Sequence, residues 1–152
     1  MQDAFESMGG ANDGKVSWWD STFYCSVTPK DRRKAMDALY ELCFEPMFES
    51  NEVEKSREVI RNELLEDELN VQSWMHKKMM SELYKNHPIR RPVGGSSETI
   101  NRIEKQDIID YHSKFYAPNV TSLAVVGDVD PDEIFKEAEE IFGKHDGNRR
   151  FN

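Results

Sequence analysis

The chain has 152 residues, 38% of them hydrophobic, and a formal charge of −9, which allows one domain with an apolar core. Its acidity argues against nucleic acid or an anionic membrane as partner, because both select basic surfaces. No apolar run approaches the about 20 residues that span a bilayer, and the start Met1-Gln2-Asp3 lacks the pattern of a secretory signal, so the sequence reads as soluble with its compartment open.

Val16 to Trp19, followed by Thr22 to Val27, predicts a β-hairpin, since Phe23, Cys25 and Val27 alternate with Thr22, Tyr24 and Ser26. Pro29 and Asp31 open a helix with an apolar stripe of Ala35, Leu39, Leu42 and Cys43, and Pro46 ends it. Cys25 and Cys43 do not stand in a C-x-x-C arrangement and are expected to be reduced and buried.

Residues 52 to 67 carry Val53, Ile60 and Leu64 at helical spacing, and Glu63 falls at i+3 from Ile60 and i+4 from Val59. With Val59 and Ile60 assigned to the core, Glu63 is expected on the inward side of this helix. An unpaired carboxylate buried there would cost several kcal/mol or would protonate. An Arg or Lys from another element would satisfy it, and so would a metal ion.

A further helix is expected from Val71 to Leu83, with Trp74, Met75, Met79 and Leu83 near helical spacing and the methionines read as core filler. His87 to Gly95, with two prolines and two glycines, predicts an irregular loop. Ile108, Tyr111, His112 and Phe115 mark the next helix, in which His112 reads as a partly buried packing residue. Ser122 to Val126 is an apolar run expected to form a central strand. Asp130, Pro131 and Glu133 give an N-cap, a first-turn proline and a capping-box acid, Ile134, Ala138, Ile141 and Phe142 form the inward stripe, and Gly143 stops the helix. Residues 144–152 read as a polar tail. The order of elements predicts an α+β domain over residues 1–143, a mainly antiparallel sheet with helices packed on one face.

Several segments, in this order and spacing, resemble one family. They are Phe5-Glu6-Ser7-Met8-Gly9-Gly10-Ala11-Asn12, Thr22-Phe23-Tyr24, Ala35-Met36-Asp37-Ala38-Leu39, and the run from Glu54 to Glu63. His87-Pro88, Arg91-Pro92-Val93-Gly94-Gly95 and Val125-Val126-Gly127-Asp128-Val129-Asp130-Pro131 complete the set. Together they resemble the insulinase/pitrilysin family of zinc metallopeptidases of the H-x-x-E-H type.

The resemblance implies that Glu63 is the third zinc ligand, a carboxylate on a later helix than the one carrying the two histidines and the water-activating glutamate. His76, His87, His112 and His145 stand in no H-x-x-E-H arrangement, so no catalytic residue is expected in this chain. The chain is then expected to be a truncated metallopeptidase domain, lacking its N-terminal strands and the zinc helix. It would bind no zinc alone and be inactive alone.

Ala11, Asn12, Asp13 and Gly14 match the position of a substrate-binding edge strand, where the family usually has Asn-Ala at the places of Asp13 and Gly14. The composition of Asn12-Asp13-Gly14 fits a tight turn equally well. Ser56 stands where the family commonly carries a glutamate behind the metal site. The loop reads His87-Pro88-Ile89-Arg90-Arg91-Pro92 in place of His-Pro-Tyr-Gly-Arg-Pro.

Two functions remain open: part of a zinc endopeptidase acting on peptides, or a non-catalytic peptidase-like subunit that binds peptide or a partner protein. A coincidentally similar acidic interaction domain is a third possibility, and it predicts a salt-bridged Glu63. Implied partners are a peptide substrate and a second homologous domain or subunit. Self-association of the chain is also expected, through an uncovered sheet edge.

Overall fold

The computed structural model describes Phe5 and residues 7–144. The expected polar tail therefore lies, apart from Lys144, outside the described residues. The chain forms two compact units, one of residues 1–15, 21–47 and 110–152, the other of residues 16–20 and 48–109.

The first unit holds the strands β1 (Ala11–Val16, up to Lys15) and β2 (Ser21–Ser26), which pair as a two-stranded antiparallel sheet. Gly10 is required at its start: a Cβ there would meet the Ser26 carbonyl oxygen at 2.6 Å. Helix α1 (Arg32–Phe44) follows a 3₁₀ turn at Pro29–Asp31. Asp31 is buried, where its carboxylate accepts from the Thr28 hydroxyl at 3.0 Å and from Lys34 at 3.2 Å.

Helix α6 (Pro131–Phe142) is capped by Asp130, whose side chain accepts from the Asp132 and Glu133 amides. Glu133 does not close a capping box; it pairs with Arg32 instead, at 3.0 Å. Tyr40 and Phe44 of α1 meet Phe142 of α6 edge-on at 5.7 and 6.3 Å between ring centroids. Phe5, Ala35, Met36, Ala38, Phe44, Ala117, Ile134 and Ile141 are the buried apolar residues here.

The second unit is built on helices α2 (Ser50–Leu69) and α3 (Val71–Leu83). Asn70 joins them, its side chain accepting from the Gln72 and Ser73 amides at 3.0 and 3.1 Å, which caps α3. Asp67 and Lys77 form an ion pair between the two helices. Arg57 ties α2 to the chain around α4 (Ser97–Arg102), donating to the Ile100 carbonyl and, at 2.6 Å, to the Ile103 carbonyl. Helix α5 (Lys105–Phe115) runs from this unit into the first.

Three expectations are corrected. The protein is helix-rich, and the paired sheet among the described residues is the two-stranded hairpin, so a mainly antiparallel sheet is not what forms. Residues 122–126 form no strand: no neighbouring strand offers them a ladder, and Val126 is 97% exposed. Trp74, Met75, Met79 and Leu83 are not core residues but at least 50% exposed, and Leu64 is the one buried apolar residue among the described residues of this unit. The stripe Val71, Met75, Met79, Leu83 points away from the helix partner, because the spacing that marks an amphipathic helix does not say what covers its apolar face.

Smaller differences concern the hairpin and the cysteines. The strands run over 11–16 and 21–26, with Ser17–Asp20 as the turn. Along the second strand Phe23 and Cys25 are half-buried and alternate with exposed Thr22, Tyr24 and Ser26. Cys25 and Cys43 are free thiols and half-buried rather than buried. His112 packs as expected, its Nε2 2.8 Å from the Cys43 carbonyl and its ring stacked on Tyr116 at 4.5 Å.

Candidate metal-ligand helix face and substrate edge

Glu63 lies in the third quarter of α2, exposed, on a face it shares with Val59 and Ser56. The expected inward orientation is overturned. Val53, Ile60 and Leu64 turn toward the unit's interior together with Arg57 and Asp67, while Val59 is 55% exposed. The helix therefore buries a stripe centred between Ile60 and Leu64, and Glu63 falls beside it. The Glu63 carboxylate makes no hydrogen bond or ion pair among the described residues, so the salt-bridged alternative is not what forms. It is presented to solvent, with Ser56 two turns earlier on the same face.

Among the described residues no three His, Cys, Asp or Glu side chains gather to hold a metal ion. His76, His87 and His112 do not join Glu63 in a site. A catalytic zinc takes three protein ligands and an open position, and no such set forms around Glu63 among the described residues. The Glu63 carboxylate has the chemistry of one such ligand.

Ala11, Asn12, Asp13 and Gly14 all lie in β1, so the tight-turn alternative is excluded. Ser17 donates its amide to the Asp20 carbonyl at 2.8 Å, closing the hairpin. The resulting register sets Asp13 opposite Tyr24 and Gly14 opposite Phe23, in line with the Tyr24 hydroxyl donating to Asp13 at 3.0 Å and the Phe23 ring 3.4 Å from a Cβ built on Gly14. Alternation from the Ser17–Asp20 pair then directs the main-chain groups of Asn12, Gly14 and Val16 away from β2, to the edge where another strand would add. One donor on that edge is taken: the Gly14 amide donates to the Asp13 carboxylate at 2.8 Å. Hydrogen bonding to Asp13, and its charge, hold the Tyr24 phenol above its ordinary range.

Sequence reasoning missed a cleft of about 400 Å³ in the second unit, walled in part by Trp18, Leu64, Pro92 and Val93. The Trp18-Trp19 dipeptide at the hairpin tip was its one visible signal. Three of these wall residues are dispersed in sequence, and only the folded loop brings them together.

A family profile described as "Insulinase (Peptidase family M16)" matches residues 1–97. The chain belongs to the insulinase family, M16. A second profile, "Peptidase M16 inactive domain", matches residues 102–149. Curated M16 relatives include an uncharacterized zinc protease of Rickettsia felis, 26% identical over 142 residues, which is 93% of this chain and 34% of that protein. The mitochondrial-processing peptidase subunit beta of Bos taurus is 28% identical over 139 residues, 91% of this chain and 28% of its own length.

The chain thus spans about a third of the length of the curated M16 proteins it matches. Two solved structures share the fold. A protease from Helicobacter pylori superposes with a TM-score of 0.91 at 20% identity, covering 99% of this chain and 36% of that one. Pitrilysin gives 0.84 at 21% identity, covering 96% and 16%. No described helix is long and apolar enough to cross a membrane.

Proposed function

We propose that this chain is the glutamate-bearing part of a zinc-dependent endopeptidase, with Glu63 supplying the third metal ligand. The observation that carries the reading is the Glu63 carboxylate itself, exposed and without a partner on a long helix of an M16 chain. A carboxylate held on a regular helix face with no local ion pair is free to ligate a metal ion whose other ligands come from elsewhere. Bound zinc would polarise the scissile carbonyl and lower the pKa of its water to about 7. Glu63 would orient the metal and add negative charge, and it would not be the general base.

The remaining ligands and the base belong to polypeptide outside these residues, so the isolated chain is inactive in this account. The substrate is a peptide, and the outward edge of β1 is the place where it would add as a strand. A second homologous domain or subunit is the expected partner, and the naming of the Bos taurus relative as a subunit fits that expectation. The exposed stripe of α3 and the open β1 edge also make self-association of the isolated chain an expected outcome.

A non-catalytic peptidase-like subunit is the second reading. Ser56 cannot support a metal site as a carboxylate would, and Asp13 occupies the Gly14 donor that a peptide would use. The two readings separate on zinc: in a longer polypeptide carrying H-x-x-E-H, Glu63→Gln abolishes stoichiometric zinc under the first and changes nothing under the second.

A further inference from the structure

The outward edge of β1 carries charges in a pattern that complements itself. Asp13 and Lys15 stand two residues apart on the strand, so their side chains project from one face of the hairpin, the face that also carries Thr22 and Tyr24. Every residue of β1 is exposed. Asp13 accepts only from neutral donors, the Gly14 amide at 2.8 Å and the Tyr24 hydroxyl at 3.0 Å. Neither Asp13 nor Lys15 has an ion-pair partner among the described residues.

An antiparallel strand added to this edge bonds to Asn12, Gly14 and Val16, the residues whose main-chain groups turn away from β2. When the added strand is β1 of a second copy, Gly14 can meet Asn12, Gly14 or Val16 of that copy. The first register sets Asp13 against Asp13, and the last sets Lys15 against Lys15. Gly14 against Gly14 instead sets Asp13 opposite the second copy's Lys15, and two-fold symmetry repeats the pair. The same register puts the residue without a side chain on the axis, where the two main chains exchange their N–H···O bonds.

We propose that β1 is a self-docking edge: two copies of the chain pair through antiparallel β1 strands with Gly14 on the two-fold axis and reciprocal Asp13–Lys15 ion pairs. The two hairpins then form one sheet of order β2-β1-β1-β2. The second copy's ammonium draws the Asp13 carboxylate off the Gly14 amide, which is the donor that the ladder needs. The dimer closes the edge that the peptidase reading gives to a peptide, but the pairing needs neither zinc nor peptide and does not rest on that reading.

The test is sedimentation equilibrium of the chain of residues 1–152, without metal, over a concentration series, with hydrogen exchange of the Gly14 amide as a second readout. The expected result is a monomer–dimer equilibrium in which Gly14 exchange slows as the dimer fills. Asp13→Lys and Lys15→Asp each set like charges opposite one another and should each weaken the dimer about tenfold or more. Mixed in equal amounts, the two variants should form a heterodimer about tenfold or more tighter than either variant forms with itself, because every facing pair is then of opposite charge. Lys15→Asp leaves the Asp13–Tyr24 bond in place, so it carries the test alone where Asp13→Lys disturbs the hairpin.

A monomer at every concentration would overturn the proposal. So would a dimer indifferent to Lys15→Asp, such as one closed by the exposed stripe of α3, or two folded variants that gain nothing on mixing. None of these outcomes touches the Glu63 assignment, which is read from zinc content, and loss of that assignment would leave the pairing in place.

Discussion

The Tyr24 hydroxyl donates to the Asp13 carboxylate at 3.0 Å across the hairpin, and the same carboxylate accepts the amide of Gly14 at 2.8 Å. One side chain thus pins the cross-strand pair and caps the outward edge of β1. Any strand that added at Gly14 would have to displace the Asp13 carboxylate from that amide first.

That pair makes a pH prediction. Tyr24 has its folded pKa raised by hydrogen bonding to Asp13, then by the charge of Asp13 and by burial. A raised pKa favours the neutral phenol in the folded state, so its contribution is complete below the unfolded value of about 10 and is lost as pH rises through the folded value. Asp13→Asn should return Tyr24 toward its ordinary titration, read from the phenolate absorbance. An unchanged alkaline midpoint for Tyr24 would show that Asp13 does not govern it.

The ion pairs between α1 and α6 act at the other end of the pH scale. Arg33 lies 2.8 Å from Glu140, and that hydrogen bond holds the Glu140 carboxyl below its usual range. A lowered pKa contributes stability that is present above the unfolded value and lost as pH falls through the folded one. Both partners are solvent-exposed, so the effect is small. Arg33→Gln should move the Glu140 carboxyl resonance midpoint upward without unfolding the protein, and an unmoved midpoint would contradict the pairing.

The second unit rests on few buried contacts, which makes its mutational response uneven. Leu64 is 7% exposed, whereas Met75 is 59% exposed. Leu64→Ala should cost about 2–5 kcal/mol of unfolding free energy, and Met75→Gln should stay within about 0.5 kcal/mol. Urea unfolding of the two variants decides this, and comparable losses would mean that the exposed stripe of α3 is covered in solution.

Arg57 holds two carbonyls on the segment around α4, those of Ile100 and Ile103, and also pairs with Glu54 at 3.1 Å. Arg57→Ala should cost about 1–3 kcal/mol. Arg57→Lys should recover only part of this, because one ammonium cannot reproduce the planar fork that spans both carbonyls. Full recovery by lysine in thermal unfolding would reduce the interaction to one of charge alone.

Local structure was legible in the sequence where it depends on near neighbours. The Val71–Leu83 helix, the Asp130 cap and the alternation of Phe23 and Cys25 follow from spacing and capping chemistry, and the structure keeps them. The family was legible from ordered short segments. What covers a face was not. Periodicity points Glu63, Val59, Met75 and Met79 inward, yet it fixes only which residues share a face. Residues 122–126 show the same limit, since an apolar run becomes a strand only when another strand supplies the ladder. The wall of Trp18 against Pro92 and Val93 depends on a loop path that no local pattern encodes.

The most direct test of the central claim is the zinc content per chain of a longer polypeptide that carries H-x-x-E-H ahead of these residues, with and without Glu63→Gln. The account predicts one tightly held zinc in the parent, its loss together with peptidase activity in the variant, and unchanged helical circular dichroism. Equal zinc in the two proteins would contradict the assignment of Glu63 as a metal ligand.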